Sequence, residues 1–521
     1  MRNRDFLLVV GTAATLLGAA ACNNDKLTSI NRNPNSPEDV PASTIFTNAA
    51  RNATARWIGN GYDLRGTEWV VQHLAEVQYP DEDDYKRLQA SSTTPFFDSP
   101  YTSELEDFRK IIQKGQAAKD PGTWAPAAIL RVLDFSYLTN TFGDVPYFQA
   151  LAGDSTGSSL TPQYDKQQDI YTDMFKQLDA AAKALAGVTK SSLNSADPIY
   201  GGDPLKWRKL ANSLRLRLAM QIVNVDAATA STQIQAALSD SVISSNADNA
   251  QINWPGDGVY NNPWSDNFAG RDDHRMSQTF MNLLLGLNDP RITVFATPAT
   301  QDTTLNPAFP NYAGMPNGLV QATAQPYFND TSRPGLIFWP PANLAAVDGG
   351  TGTTTPTFIM TYAEVSFIKA EAANRGLGGV PAAQAQAFYN AGIAASFAQW
   401  GVSMPASYLT QSSVAYAGNN TNGLVQIDEQ EWIALFTDGG TTWSLWRRTC
   451  IPNTVKPGPE AITTIVPRRF EYSTTEYSVN FAAVQAANAR QGADLLTTPT
   501  WWDKNWNTAA VPTYTAGCGQ Q

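Results

Sequence analysis

Apolar residues recur along this chain at intervals of three and four, and that period constrains the fold more than any other feature. Each such stripe is one helix face that must be buried on a neighbouring helix. Trp207, Leu210, Leu214, Leu218 and Ile222 form one stripe, with Lys206, Arg208, Lys209 and Arg217 on other faces. Phe108-Ile111-Ile112, Ile129-Val132-Leu133-Phe135, Tyr171-Phe175-Leu178 and Tyr389-Ile393-Phe397-Trp400 repeat the pattern. Short punctuation such as Asp120-Pro121-Gly122 and Gly201-Gly202-Asp203-Pro204 separates the stripes, so adjacent helices should pack as antiparallel pairs. The chain reads as mainly α, a helix-turn-helix solenoid, although no clean repeat of tetratricopeptide length is visible.

Two regions break that period. Residues 80–100 begin Pro80-Asp81-Glu82-Asp83-Asp84-Tyr85 and run to Pro95-Phe96-Phe97; residues 251–357 are rich in Gly, Pro, Thr and aromatics. Irregular segments this long inside a compact domain are usually functional. The second holds short β-prone pieces, which predicts a hairpin or two. It also gathers aromatics suited to stacking: Trp254, Tyr260, Trp264, Tyr312, Tyr327, Phe328, Phe338 and Trp339.

The N-terminus predicts export. Arg2 and Arg4 precede an apolar run from Phe6 to Ala21, which ends Ala19-Ala20-Ala21-Cys22 and passes into Asn23-Asn24-Asp25-Lys26. A charged start, a short apolar stretch and small residues before a cut describe a secretory signal. The small-small-Cys ending predicts acylation of Cys22 and a lipid anchor on a membrane. Ala19 stands where a lipobox usually has Leu, and a plain secretory signal is the alternative. No later apolar stretch reaches the roughly 18 residues a spanning helix needs. The expected division is a signal at 1–21, a lipid-anchored polar leader at 22–41 and one domain at 42–521, with the insertion at 251–357.

A net charge of −11 argues against nucleic acid and against adhesion to anionic lipid, both of which call for basic stripes. Cys450 and Cys518 can make at most one disulfide in an oxidising compartment, and their pairing is not readable here.

Several segments, spread from end to end, together carry a resemblance. They are Asn33-Pro34-Asn35-Ser36-Pro37, Phe142-Gly143-Asp144-Val145-Pro146-Tyr147, Tyr200-Gly201-Gly202-Asp203-Pro204-Leu205-Lys206-Trp207, Ala211-Asn212-Ser213-Leu214-Arg215-Leu216-Arg217-Leu218-Ala219 and Asp289-Pro290-Arg291. Tyr362-Ala363-Glu364-Val365-Ser366-Phe367-Ile368-Lys369-Ala370-Glu371-Ala372, Trp443-Ser444-Leu445-Trp446-Arg447-Arg448-Thr449 and Pro467-Arg468-Arg469-Phe470-Glu471-Tyr472 follow. In them the chain resembles the SusD/RagB family of outer-membrane nutrient-binding lipoproteins, in its SusD-like branch. The resemblance implies a tetratricopeptide-like helix-pair superhelix with an irregular, partly β, ligand-binding insertion. It also implies capture of an oligosaccharide, or otherwise a peptide-like polymer, and delivery to a SusC-like TonB-dependent transporter barrel. The place implied is the outer membrane, lipid-anchored and facing the cell exterior.

The candidate binding residues are Trp254, Tyr260, Trp264, Tyr327 and Trp339. A sugar's apolar C–H face suits a flat aromatic platform and its hydroxyl rim suits neighbouring Asn, Asp and Gln. Tyr79, Tyr85 and Phe97 are secondary candidates, because the family's binding surface also draws on an N-terminal insertion. The competing reading is that these aromatics merely pin an irregular region. Lys206, Trp207, Asn212 and Arg215 read as packing residues, and Arg447, Arg448, Arg468 and Arg469 as internally paired.

No catalytic residue, metal or cofactor is expected. Gly153-Asp154-Ser155-Thr156-Gly157 matches a nucleophile pattern but lacks the strand and helix that an elbow needs, and only His73 and His274 could serve a triad. Glu364 and Glu371 lie about 10 Å apart in helical rise, and read as salt-bridge partners between stacked helices. Asp81, Glu82, Asp83 and Asp84 read as a solvated acidic loop rather than a Ca²⁺ cage. Two rival readings stand: an exported glycan hydrolase with paired carboxylates, and a helical scaffold without ligand.

Overall fold

The computed structural model describes residues 40–153, 159–345, 347–506, 511–513 and 518–520. The signal segment, Cys22, most of the leader and the Asp154–Gly157 part of the nucleophile-like pattern lie outside them. The protein is mainly helical, built from paired helices as the stripes predict. Its longer helices are α1 (Ala42–Trp57), α2 (Glu104–Ala117), α3 (Pro121–Phe142), α4 (Gln167–Leu185), α5 (Pro204–Gln221), α6 (Ala227–Leu238), α7 (Tyr362–Arg375), α8 (Ala385–Gln399), α9 (Thr421–Ala434) and α10 (Gly439–Thr449). Each of α1 to α5 packs on the next, α5 also meets α7, and α7, α8 and α9 pack together before α10. The punctuation works as capping. Asp203 accepts from Leu205 N and Lys206 N with Pro204 in the first turn of α5, and Thr361 Oγ1 accepts from Glu364 N at the start of α7.

The packing readings hold. Trp207 is fully buried and donates from Nε1 to Asp197 at 2.6 Å. Asn212 donates to Ser241 O at 3.0 Å, and Arg215 donates to Gln233 and Asp179. Both acids of α7 are buried and reach arginines on neighbouring helices, Glu364 to Arg217 of α5 and Glu371 to Arg448 of α10. Arg468 pairs with Asp503 and Arg469 with Asp494. Arg447 lies between the Trp443 and Trp502 rings, 3.7 and 4.5 Å from their centroids, and burial pulls it down to about 9. Cys450 and Cys518 are disulfide-bonded with Cα atoms 6.2 Å apart.

The insertion departs from its expected local hairpins, because its strands pair with distant partners. β4 (Ala250–Ile252) and β6 (Thr357–Met360) pair antiparallel, so the chain enters and leaves the insertion through one small sheet. β5 (His274–Met276) pairs with β1 (Leu74–Glu76), tying the insertion to the first irregular region, while β2 (Val145–Pro146) pairs with β3 (Tyr164–Asp165). Short helices Pro263–Gly270 and Gln278–Gly286 break up the rest. Backbone passes so close to backbone there that a side chain would not fit: a Cβ on Gly335 would lie 1.8 Å from Val294 O, and one on Gly352 2.4 Å from Phe338 C.

Candidate functional site

Burial separates the expected binding residues into two groups. Trp254, Trp264, Trp339 and Tyr85 are 6%, 2%, 0% and 2% exposed, and Phe97, Phe338 and Tyr312 are likewise buried. Each indole is also satisfied internally. Trp254 Nε1 donates to Thr357 Oγ1 at 2.8 Å, Trp264 Nε1 to Asp63 at 2.9 Å and Trp339 Nε1 to Pro334 O at 2.8 Å. Trp264 packs between Phe338 and Phe436, and Trp339 stacks on Phe268 at 4.6 Å. These four residues therefore offer no open face, which corrects the expectation placed on them. An irregular segment lacks the regular stripes of a helix pair, and large rings fill its core instead.

Tyr79 at 52% exposure and Tyr260 at 44% are open, and Tyr327 is half-buried. Tyr79 and Tyr327 belong to one assembly around the β1–β5 pair. Ala75 and Val77 form a small apolar cluster with Met315 and Ala324, and Leu319, Tyr327 and Phe328 pack onto it. Tyr79 follows two residues after Val77, past the end of β1 and at the N-cap of the short helix Pro80–Asp83. Residues 271–275 supply a guanidinium to each part of this assembly. Arg271 Cζ lies 4.6 Å from the Tyr79 centroid, and Arg275 and Arg333 lie 4.3 and 5.3 Å from the Phe328 centroid. Arg275 also donates to Phe328 O at 3.0 and 2.7 Å, and Arg333 grips Asp272 at 2.6 and 2.9 Å. Gln78, next to Tyr79 in sequence, and Gln325 and Asn329, close to Tyr327 and Phe328, are exposed.

A carboxylate network fixes it from behind. Arg271 pairs with Glu82, Glu76 and Asp273. Burial, then the neighbouring Asp273, pushes Glu76 well above the usual carboxylate range. Burial alone would lower Arg271, but its bonds to Asp273 and Glu82 outweigh that and raise it. The arrangement presents the open Tyr79 ring and the half-buried Tyr327 with the partly exposed Arg271 and Arg333, while Arg275 is fully buried. Such a surface can stack on an apolar ring face and hydrogen-bond its hydroxyl rim.

Tyr260 has a different setting: Arg51 of α1 lies 4.4 Å from its centroid, and Asp257 holds its turn by accepting from Tyr260 N at 2.8 Å. The arginines of the Tyr79 face went unread in the sequence. The available signal was the charged run Arg271-Asp272-Asp273-His274-Arg275, which leads into β5.

The acidic run 81–84 is not the solvated loop expected. Glu82, Asp83 and Asp84 are buried and engage separate partners: Glu82 the arginines 65, 87 and 271; Asp83 the Asn317 amide and Gly318 N at 2.9 Å each; Asp84 the Lys86 ammonium at 2.7 Å. Two groups among the described residues bring three ligand-type side chains together, Glu76/Glu82/His274 and Glu371/Asp428/Glu431. Both are buried and already face arginines, Arg271 in the first, Arg375 and Arg448 in the second. His73 and His274 are fully buried, and burial pulls His73 down to about 3.

Comparison with known proteins accounts for this architecture. The family described as "Starch-binding associating with outer membrane" (SusD-like) matches residues 34–473. A chitin-binding SusD homolog from Flavobacterium johnsoniae is 27% identical, with a TM-score of 0.72 over 88% of this chain and 97% of that one. SusD homologs from Bacteroides vulgatus and Bacteroides fragilis share 25% and 24% identity, TM-scores of 0.73 and 0.74, 89% of this chain, and 98% and 99% of theirs. No curated protein sequence matches. No described helix is long and apolar enough to cross a membrane. From the length of the family match, together with its helix-pair fold, the chain belongs to the SusD-like family.

Proposed function

We propose that this protein is a non-catalytic glycan-binding lipoprotein of the outer membrane, which captures an oligosaccharide on the Tyr79–Phe328 face and passes it to a SusC-like TonB-dependent transporter. The observation that carries this reading is open Tyr79, held by Arg271, with half-buried Tyr327 and Phe328, the latter held by Arg275 and Arg333, in a member of a family described as starch-binding. The chitin-binding relative makes oligomers of N-acetylglucosamine and of glucose the first ligands to try. Tyr260 is a second contact point on this reading. The buried setting of Glu364 and Glu371, each held by an arginine, favours binding over hydrolysis. The lipoprotein-like N-terminus supports anchoring through Cys22, and the family supports a place at the outer membrane; outward orientation and transporter partnership belong to the same proposal.

Calorimetry with these oligosaccharides tests the site. Tyr79→Ala and Tyr327→Ala should each weaken binding by about 5- to 150-fold, as loss of a central aromatic anchor does. Unchanged affinity in both variants, with a ligand that binds wild type, would place the site elsewhere. Shortened products in the same samples would move the protein to the hydrolases. For the anchor, Cys22→Ser should release the protein from the membrane fraction.

A further inference from the structure

The Tyr79 ring projects from a turn that one buried side chain organises. Glu76, the last residue of β1, is 1% exposed and faces His274 of β5 across the strand pair. Its N–H donates to Asp83 at 3.2 Å, and Val77 N donates to Asp273 O at 3.1 Å, after which the chain leaves the ladder. The Glu76 carboxylate then reaches forward along the chain: Oε1 accepts from Gln78 N at 2.8 Å and from Tyr79 N at 3.1 Å. Two N–H groups beyond the ladder are thereby fixed by a side chain rather than left to solvent.

The same carboxylate borders the guanidinium under the ring. Oε2 lies 3.5 Å from Arg271, whose Cζ sits 4.6 Å from the Tyr79 centroid. The donors of Arg271 are taken up inside the protein: Nε donates to Asp273 at 2.9 and 3.0 Å, Nη1 to Glu82 at 3.3 Å, and Nη2 to Glu82 at 3.1 Å and to Asp273. Arg271 therefore backs one face of the phenol and leaves the other to solvent, in keeping with the 52% exposure of Tyr79. Glu82 stands on the short helix that begins after Tyr79, so ring, turn and helix meet at this one guanidinium. Exposed side chains ordinarily hop between rotamers, and one that must be immobilised on binding costs affinity. A ring set in place beforehand escapes that cost.

We propose that Glu76 is a positioning residue for the Tyr79 platform: it touches no ligand, and through Oε1 it fixes the turn that lays the ring on Arg271. The inference rests on the reading of the Tyr79–Phe328 face as the binding site. Three substitutions separate the contributions. Glutamine keeps an Oε1 acceptor for both N–H groups, and it also copies a neutral side chain, the form that burial and then Asp273 favour by pushing Glu76 well above the usual carboxylate range. Aspartate keeps the carboxylate but is one methylene shorter, and methionine offers neither N–H an oxygen.

Calorimetry with oligomers of N-acetylglucosamine and of glucose, together with hydrogen exchange read by mass spectrometry, tests it on the full chain. Glu76→Met and Glu76→Asp should each speed exchange at the Gln78 and Tyr79 amides by about 10-fold or more. Each should also weaken binding by about 5-fold or more, while Glu76→Gln stays within about 2-fold of wild type in both measurements. Glu76→Asp decides the matter should Glu76→Met not fold. Glu76→Asp combined with Tyr79→Ala should bind within about 2-fold of Tyr79→Ala alone, because a residue acting through the ring has nothing left to act on. A general loss of structure would add to the Tyr79→Ala loss instead. Unchanged exchange in the Met and Asp variants overturns the proposal without any ligand. It is equally overturned by wild-type affinity in those variants where Tyr79→Ala binds weakly, or by additive losses in the combined variant. Wild-type affinity in Tyr79→Ala overturns the site reading itself, and this inference with it.

Discussion

An aromatic ring serves as a binding platform only while one face is open, and burial decides this residue by residue. Trp264 is 2% exposed, with both ring neighbours and its N–H partner inside the protein, whereas Tyr79 is 52% exposed. Trp264→Ala should therefore lower the unfolding free energy by about 3–5 kcal/mol, the cost of emptying a large aromatic site. Tyr79→Ala should stay within about 0.5 kcal/mol of wild type, as an open surface position does. Urea denaturation of the two variants compares them directly, and a Trp264 variant as stable as wild type would take that ring out of the core. Titratable residues give a second prediction at this scale. Glu429 of α9 is half-buried, and desolvation pushes it up to about 7. An unfolded glutamate titrates near about 4.3, so the native chain keeps a proton that the unfolded chain releases. The stability this supplies is full below the unfolded value and lost as pH rises through about 7. In Glu429→Gln that loss is gone, and the change in Tm between pH 5 and pH 8 should differ from wild type by about 1–3 °C in favour of the variant at pH 8.

Among the helices, α7 is tied to two neighbours by buried charge. Glu364 in its first turn meets Arg217 of α5, and Glu371 one heptad on meets Arg448 of α10 and Arg375 of its own helix. Burial would raise Glu371, but the two arginines hold it below the usual carboxylate range. Removing one partner of such a pair leaves a bare buried charge. Arg217→Met should cost about 3–5 kcal/mol, and adding Glu364→Leu should recover much of it, since replacing both partners with apolar groups is often neutral. A double-mutant cycle by urea unfolding measures this, and equal stability of the single and double variants would deny the coupling. The same logic explains why a seven-residue acid spacing, attractive as catalytic geometry, serves helix stacking here.

The whole molecule is closed by contacts between distant parts of the chain. β1 pairs with β5, β4 with β6, and Cys450 with Cys518 across 68 residues. Closing a loop of that length restricts the unfolded chain by up to about 4 kcal/mol. Cys518→Ser should therefore lower stability by about 2–4 kcal/mol, with dithiothreitol producing the same loss in wild type and none in the variant. A reductant-insensitive melting temperature in wild type would show that the disulfide does not constrain this chain.

The sequence by itself determined the helices, because a three-four apolar period with Pro and Asp caps can be satisfied only as buried helix faces; Trp207 and Asp203 needed no tertiary information to be placed. Residue order also located the irregular segments at 80–100 and 251–357. It could not assign their aromatics. Trp254, Trp264 and Trp339 carry the same composition signal as Tyr79 and Tyr260, and which rings are covered depends on neighbours such as Phe436 and Phe268, brought in by packing alone. The arginines over Tyr79 and Phe328 were hidden for the same reason: a pairing between strands some 200 residues apart sets their places. Local periodicity is written into each stretch of chain, whereas exposure and juxtaposition are properties of the folded whole.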